Sequence, residues 1–365
     1  MQNARMADLP GTEVIERARS LFPVLDTVAY LNAGTFGPLS RATRDAMLTE
    51  LEQDVEGGRT GMPYFEGRLA LRERVREAIA RLVAVDPVHV ALTSSTTDGC
   101  NIVVGGLDLQ AGDEIVTTTD EHFGLLGALG VSRATVVVSE PDPSSIVAAV
   151  TSRTRLVALS HVLWTTGNIL PVRELRAATG VPILVDGAQS VGAIPVDAEG
   201  LDFLTISGQK WLCGPDSTGA LVVADPERLP ISTPSYFSKV DSMPDGSFTP
   251  RPGAVRFDLN WLPGPSLAGL LAALEGRPAW SFDAAAAVAR RCRELLSPLV
   301  ELALPQEPST LVAFRTEGDP ATLVESLYRQ NIHVREIPGT GLVRVSCGWW
   351  TSDGDLDRLA TALAR

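Results

Sequence analysis

Between Asp86 and Asp225 the chain repeats one pattern, a short apolar run closed by Gly, Pro, Asp or Ser and followed by a helical or turn segment. The runs are Val90–Thr93, Glu114–Thr118, Ala134–Val138, Leu156–Ser160, Ile183–Asp186, Phe203–Ile206 and Gly219–Val223. Strands that alternate with helical segments in this way predict βα units feeding a mainly parallel sheet. Seven of them are enough for a doubly wound α/β domain.

Outside that stretch the pattern changes. Ser40 to Asp54 and Phe65 to Val83 carry helical spacing, the second with Leu69, Val75, Ile79 and Leu82 on an apolar face. Pro230 to Pro265 is rich in Pro, Gly and Ser and predicts an irregular connection rather than core. After it Leu267–Leu274 and Ala284–Leu296 read as helices. Ser309–Arg315, Ile332–Glu336 and Leu342–Ser346 read as strands, and Ala321–Arg329 and Leu356–Ala364 as helices. Ser352 with Asp355 three residues on is a capping-box signature for the last helix. For 365 residues a large domain with a smaller one is the natural division. The reading is a large domain over 26–274 and a small α+β domain made from 1–25 and 275–365.

A formal charge of −13 argues against a nucleic-acid partner, because phosphate neutralisation needs clustered Lys and Arg. No run approaches 18 apolar residues, so no membrane span is expected, and Met1 to Gly11 lacks the apolar core of a secretory signal. Cys100, Cys213, Cys292 and Cys347 are scattered without a CxxC pair, which fits reduced thiols and a cytoplasmic location. The four histidines, at 89, 122, 161 and 333, have no zinc-motif spacing, so no metal is expected.

In open α/β sheets ligands lie beyond the carboxyl ends of the strands, so the residues that follow each strand carry the functional information. Val90–Thr93 leads into Ser94, Ser95, Thr96 and Thr97 at a helix start, where hydroxyls and free N–H groups can cup a phosphate or simply cap the helix. Later strand ends bring His122, then His161 and Trp164, then Asp186, then Ser207, Gln209 and Lys210. Taken singly, each has an ordinary explanation: an exposed imidazole, a packed indole, a solvated carboxylate or amine. Taken together, an aspartate and a lysine at neighbouring strand ends with a hydroxyl cup earlier in the sheet are what pyridoxal 5'-phosphate (PLP) needs. The lysine forms a Schiff base, the aspartate keeps the pyridine nitrogen protonated, and the cup holds the phosphate. A dinucleotide-binding dehydrogenase would need a G-x-G-x-x-G turn that no strand end supplies. A catalytically silent protein on the same scaffold would have no need of both Asp186 and Lys210.

With Val185-Asp186-Gly187-Ala188-Gln189-Ser190-Val191-Gly192 and Ser207-Gly208-Gln209-Lys210-Trp211, the chain resembles the class V aminotransferases of PLP fold type I. That group includes cysteine desulfurases, isopenicillin N epimerase and cystine C-S lyases. The likeness runs from Tyr30-Leu31-Asn32-Ala33-Gly34 to Val343-Arg344-Val345-Ser346 and on to Thr351 and Asp355. It implies Lys210, Asp186 and His122 as catalytic residues, with His122 stacked on the ring. Gln189 would meet the phenolic oxygen, and Ser95, Thr96, Thr97, Ser207 and Gln209 the phosphate. Asn32, Gly34, Trp164, Arg335 and Arg344 would contact the substrate, an amino acid, and the enzyme would be a homodimer. Gln209 stands where the family often has His, and Asn260-Trp261-Leu262-Pro263 where a Gly-Thr loop commonly reaches the partner's phosphate.

Among the reactions of that family, desulfuration needs a mobile thiol shortly before the carboxylate-binding arginine, and Glu336 to Val343 contains no cysteine. Trp164 and the nine-residue interval from Arg335 to Arg344 resemble the cystine lyase branch. The reading is therefore β-elimination from cystine or a related sulfur amino acid, with transamination and epimerisation as alternatives.

Overall fold

The computed structural model describes residues 11–364; residues 1–10 of the small-domain assignment lie outside the described residues. In chain order come α1 (Thr12–Arg19), β1 (Ala29–Tyr30), α2 (Arg41–Gly57) and α3 (Gly61–Leu82). The alternating stretch follows as β2 (Val90–Thr93), α4 (Thr96–Gly106), β3 (Glu114–Thr118), α5 (Phe123–Gly130), β4 (Thr135–Ser139), α6 (Pro143–Ala149) and β5 (Thr154–Ser160). It ends with α7 (Val172–Thr179), β6 (Ile183–Asp186), β7 (Phe203–Ser207) and β8 (Gly219–Val223). Each of the seven predicted strands is present, with ends displaced by no more than two residues.

These strands form one sheet in the order β2-β8-β7-β6-β5-β3-β4. It is parallel except for β8, which runs antiparallel to both neighbours. Because side chains alternate along a strand, each strand feeds two cores. Leu92, Val116, Val157, Val185, Leu204 and Val222 face α3, α7 and α8, while Ala91, Ile115, Ala158, Leu184, Phe203 and Leu221 face α4 and α5. Helices on both faces explain why the central strands read as nearly continuous apolar runs. The edge strand β4 is partly exposed, as its place in the order requires.

Beyond β8 the chain forms a hairpin, β9 (Lys239–Ser242) and β10 (Phe248–Pro250), then α8 (Gly264–Glu275) and α9 (Ser281–Leu296). The rest comprises β11 (Glu301–Ala303), β12 (Leu311–Arg315), α10 (Pro320–Arg329), β13 (Ile332–His333), β14 (Arg335–Ile337), β15 (Leu342–Ser346) and α11 (Asp353–Leu363). An antiparallel sheet in the order β11-β12-β15-β14 packs its apolar side with α9, α10 and α11. Ala29 and Leu31 join that core, and β1 pairs with β13. Ser352 and Asp355 make the reciprocal capping box at α11.

Three expectations are corrected. The buried face of α3 is not simply apolar: Arg68, Arg72 and Arg76 are buried on it, while Leu69 and Leu82 are only half-buried. Asp258 accounts for this, since it is buried and bound by Arg72 at 2.7 Å, by Arg76 at 2.9 Å and by the Leu92 N–H at 2.7 Å. The segment from Pro230 to Pro265 is therefore more than a connection, because Phe237, Phe257 and Asp258 lie in the interior and Asp258 ties the segment to α3 and β2. The predicted strand Ile332–Glu336 breaks at Val334 into two pieces, β13 pairing with β1 and β14 with β15. The short strand β11 had no signal beyond its pairing with β12.

Candidate active site

The carboxyl ends of β2, β3, β5, β6 and β7 open on one cleft of about 280 Å³. Its walls include Ser95, Thr96, Thr97, His122, Trp164, Asp186, Gln189, Ser207, Gln209, Lys210, Arg335, Arg344 and Gly34. All the sequence-predicted site residues except Asn32 thus meet in one place. Asn32 does not line the cleft; its amide oxygen accepts from Thr35 Oγ1 at 2.8 Å.

At the floor, β6 and β7 are adjacent, so Asp186 at the end of one faces the segment leading to Lys210 from the other. Asp186 is buried, and Oδ1 accepts from the Ala188 N–H at 2.8 Å. Burial raises its carboxyl above the ordinary range, opposed by the Lys210 charge. Lys210 forms no ion pair among the described residues, and burial lowers its amine to about 8 against the pull of Asp186. An amine in that range is available as a base and as a nucleophile near neutral pH.

The α4 start presents the hydroxyls of Ser95, Thr96 and Thr97, with Ser95 capping the Asp98 N–H at 3.2 Å. Ser207 Oγ donates to Gln209 Oε1 at 2.8 Å, closing the cup from β7. Three hydroxyls at the start of an 11-residue helix form a ready anion site. Across the cleft the His122 ring meets Trp164 edge-on, centroids 5.2 Å apart. Its Nδ1 accepts from the Gly124 N–H at 3.0 Å, which assigns the ring proton to Nε2. Burial and then the Lys210 charge lower its proton affinity, which favours the neutral ring.

The rim comes from the small sheet. Arg335 and Arg344 are direct partners across β14 and β15. Arg344 is buried, gives Nη1 to the Trp164 carbonyl at 2.8 Å, and has no acidic partner among the described residues. Burial, then the neighbouring Arg335, lower it to about 9. Arg335 is exposed and also without an acidic partner among the described residues. Gly34 threads between Arg344 and Gln189, where a Cβ would lie 2.7 Å from Arg344 Nη2 and 2.9 Å from Gln189 Oε1. Gln189 already gives Nε2 to the Gly34 carbonyl and receives Trp211 Nε1. One N–H of its amide remains for a ligand.

Phe36 and Ser160 also line the cleft. Ser160 closes a predicted strand, so the strand-end rule reaches it; Phe36 belongs to a turn after β1 that no periodicity marks. The four cysteines are buried and unpaired. Among the described residues no group of three His, Cys, Asp or Glu is arranged to hold a metal, and no helix is long and apolar enough to cross a membrane.

The aminotransferase class-V family profile matches residues 67–354. The chain is 32% identical to an isopenicillin N epimerase of Streptomyces clavuligerus, the alignment covering 95% of this chain and 97% of that one. Among solved structures it resembles the cystine C-S lyase C-DES in complex with its product cysteine persulfide. There the TM-score is 0.87 at 28% identity, over 94% of this chain and 99% of that one. A C-DES variant with glycine covalently linked to its PLP cofactor gives a TM-score of 0.88 at 28% identity, over 95% and 98% of the two chains.

Proposed function

The chain belongs to the aminotransferase class-V family, and from that premise we propose that it binds PLP through Lys210 and eliminates a sulfur group from cystine or a related sulfur amino acid. The observation that carries the reading is the placement of Asp186 at the end of one strand and Lys210 just beyond its neighbour, both buried and neither in an ion pair among the described residues. The residues fit the cofactor. A buried carboxylate with one hydrogen bond suits a protonated ring nitrogen, an amine near 8 suits a Schiff-base lysine, and the α4 cup suits a phosphate. Bound there, PLP supplies an electron sink that weakens bonds at the substrate's α-carbon and allows a leaving group to depart from the β-carbon.

The chain's own residues would do the rest. Ser95, Thr96, Thr97, Ser207 and Gln209 would hold the phosphate, Gln189 would use its remaining N–H on the phenolic oxygen, and His122 would stack on the ring. Arg344 takes the α-carboxylate in its planar fork, with Gly34 and Trp164 beside it. Lys210 removes the α-proton. Arg335, exposed at the rim without an acid of its own, supports a substrate with a second carboxylate such as cystine. A desulfurase mechanism lacks its thiol, because all four cysteines are buried.

The likeness along nearly the full length to an isopenicillin N epimerase supports a second reading, inversion at the α-carbon. The test is product analysis with cystine, cysteine and alanine, with and without a keto acid. Pyruvate from cystine without a keto acid is the expected result. Activity only with an added amino acceptor makes the enzyme an aminotransferase, and loss of optical purity without net products makes it an epimerase.

The same reading includes a cytoplasmic homodimer with the active site near its interface. Exposed Phe36 and Leu39 beside the cleft and Leu48, Leu51 and Val55 along α2 support an interface, and the buried free thiols support a reducing compartment. It also includes the division into 26–274 and a small domain from 275–365 with the N-terminal segment. The separate apolar core of the small sheet supports that division, although Ala29 and Leu31 pack into it.

A further inference from the structure

One buried acid beside the cleft has no part in the reaction outlined above. Glu121 follows β3 by three residues and is buried. Its carboxylate accepts from Thr118 Oγ1 at 2.8 Å, from the Ser160 N–H at 3.0 Å and from Ser160 Oγ at 2.6 Å. Each of these donors is neutral. The charge that acts on it comes from Asp186, and after burial both carboxylates raise the Cys100 thiol on α4. Burial pushes Glu121 up to about 7.

Part of this is sheet construction. The β3–β5 ladder stops at Val116 opposite Val157, so the Ser160 N–H has no strand partner and needs an acceptor. A neutral amide would accept the same bond at a smaller desolvation cost, so the ladder does not account for a carboxylate that lacks a cation. Ser160 does. It is the direct partner of Asp186 on the neighbouring strand, both side chains leave the same face of the sheet, and both line the cleft. A serine has one hydroxyl proton, and here it goes to Glu121. It is therefore not given to Asp186, whose hydrogen bond comes from Ala188 alone among the described residues.

We propose that Glu121 is a positioning residue for the ring proton of the bound cofactor: in its ionised form it turns the Ser160 hydroxyl away from Asp186 and adds negative potential there, so that one proton is retained between Asp186 and the pyridine nitrogen. The inference rests on the PLP reading above. A second negative charge raises the proton affinity of a neighbouring acid–base pair, and a hydrogen bond withheld from a carboxylate leaves it a stronger acceptor. The two effects act in the same direction.

The experiment uses holoenzyme loaded with PLP labelled with ¹⁵N in the ring, whose chemical shift reports the proton on that nitrogen as pH is varied. In Glu121→Gln, which keeps shape and an acceptor but no charge, the ring nitrogen holds its proton about tenfold less tightly, moving the midpoint down by roughly one pH unit. Thr118→Val removes only a donor to Glu121 and moves the midpoint in the same direction by less. It serves also if Glu121→Gln does not fold. A midpoint unmoved in the variants that fold overturns the proposal and leaves Glu121 as a ladder substitute. A native chain that takes up no PLP gives no labelled signal, which overturns the cofactor reading and this one with it.

Discussion

At the floor of the cleft Asp186 closes one of two adjacent parallel strands and Lys210 follows the other, whereas at its rim Arg335 and Arg344 stand opposite one another on antiparallel strands. The floor sets opposite charges near each other in a buried setting without an ion pair, and each moves the other's proton affinity against the effect of burial. The rim sets like charges side by side, an arrangement that costs stability in an antiparallel pair. Only an anion relieves it, and among the described residues neither arginine has one. The floor thus carries one charge of each sign and is built for proton and bond chemistry, while the rim lacks an anion and is built to receive one.

If that division is right, damage to the floor removes chemistry and damage to the rim weakens binding. The largest effect belongs to Lys210→Ala, which takes away both the attachment point and the base. Turnover should fall by about a thousandfold or more, and the absorbance band of the lysine–cofactor Schiff base should disappear from the purified protein. An unchanged spectrum with unchanged turnover would end the cofactor assignment. Asp186→Ala removes the partner of the ring nitrogen and should lower turnover by about a hundredfold, with the yellow colour retained.

The rim variants sharpen the comparison. Arg344→Ala removes a buried charge-assisted contact worth roughly 1.5–3 kcal/mol, so kcat/KM for every amino acid should drop by about ten- to a hundredfold. Arg335→Ala, at an exposed position, should cost about fivefold for cystine and leave alanine and cysteine unaffected. Equal losses for dicarboxylic and monocarboxylic substrates would show that Arg335 takes no second carboxylate.

The floor was more legible in the sequence than the structures around it, for a physical reason. A strand buried on both faces is mostly apolar along its length, so Asp186 at the end of the otherwise apolar Ile183–Asp186 and the hydroxyls after Thr93 stand out where polar chemistry begins. The nine-residue interval from Arg335 to Arg344 was visible, but not their register, nor the break at Val334, which depends on β1 arriving from about three hundred residues earlier to pair with β13. The buried arginines of α3 were hidden for a similar reason. Their partner Asp258 lies in a segment whose Pro, Gly and Ser content reads as connection, and nothing local marks an aspartate there as interior. Glu121 sits next to His122 in sequence yet behaves differently, since its partner Ser160 belongs to another strand.

The smallest effect should come from the cysteines, and it tests the comparison from the other side, by asking whether any group outside floor and rim takes part in the chemistry. A thiol that attacks substrate sulfur has to be mobile and at least partly ionised. Cys213 is buried beside the lysine segment and burial pushes its thiol up to about 12. Cys347 follows β15 directly after Ser346 and packs with Cys292 in the core of the small sheet, where the contact between the two thiols and burial hold its thiol well above its ordinary range. Cys100 is on the buried face of α4, held protonated by burial and by the nearby Asp186 and Glu121. All four behave as small packed hydrophobes. Replacing them one at a time with Ala should cost about 1 kcal/mol of stability each, read from urea unfolding, while turnover on cystine stays at the native level. A persulfide detected on any of them during turnover, or an Ala variant that folds normally but no longer releases sulfide, would add a thiol to the machinery and return the enzyme to the desulfurase reading.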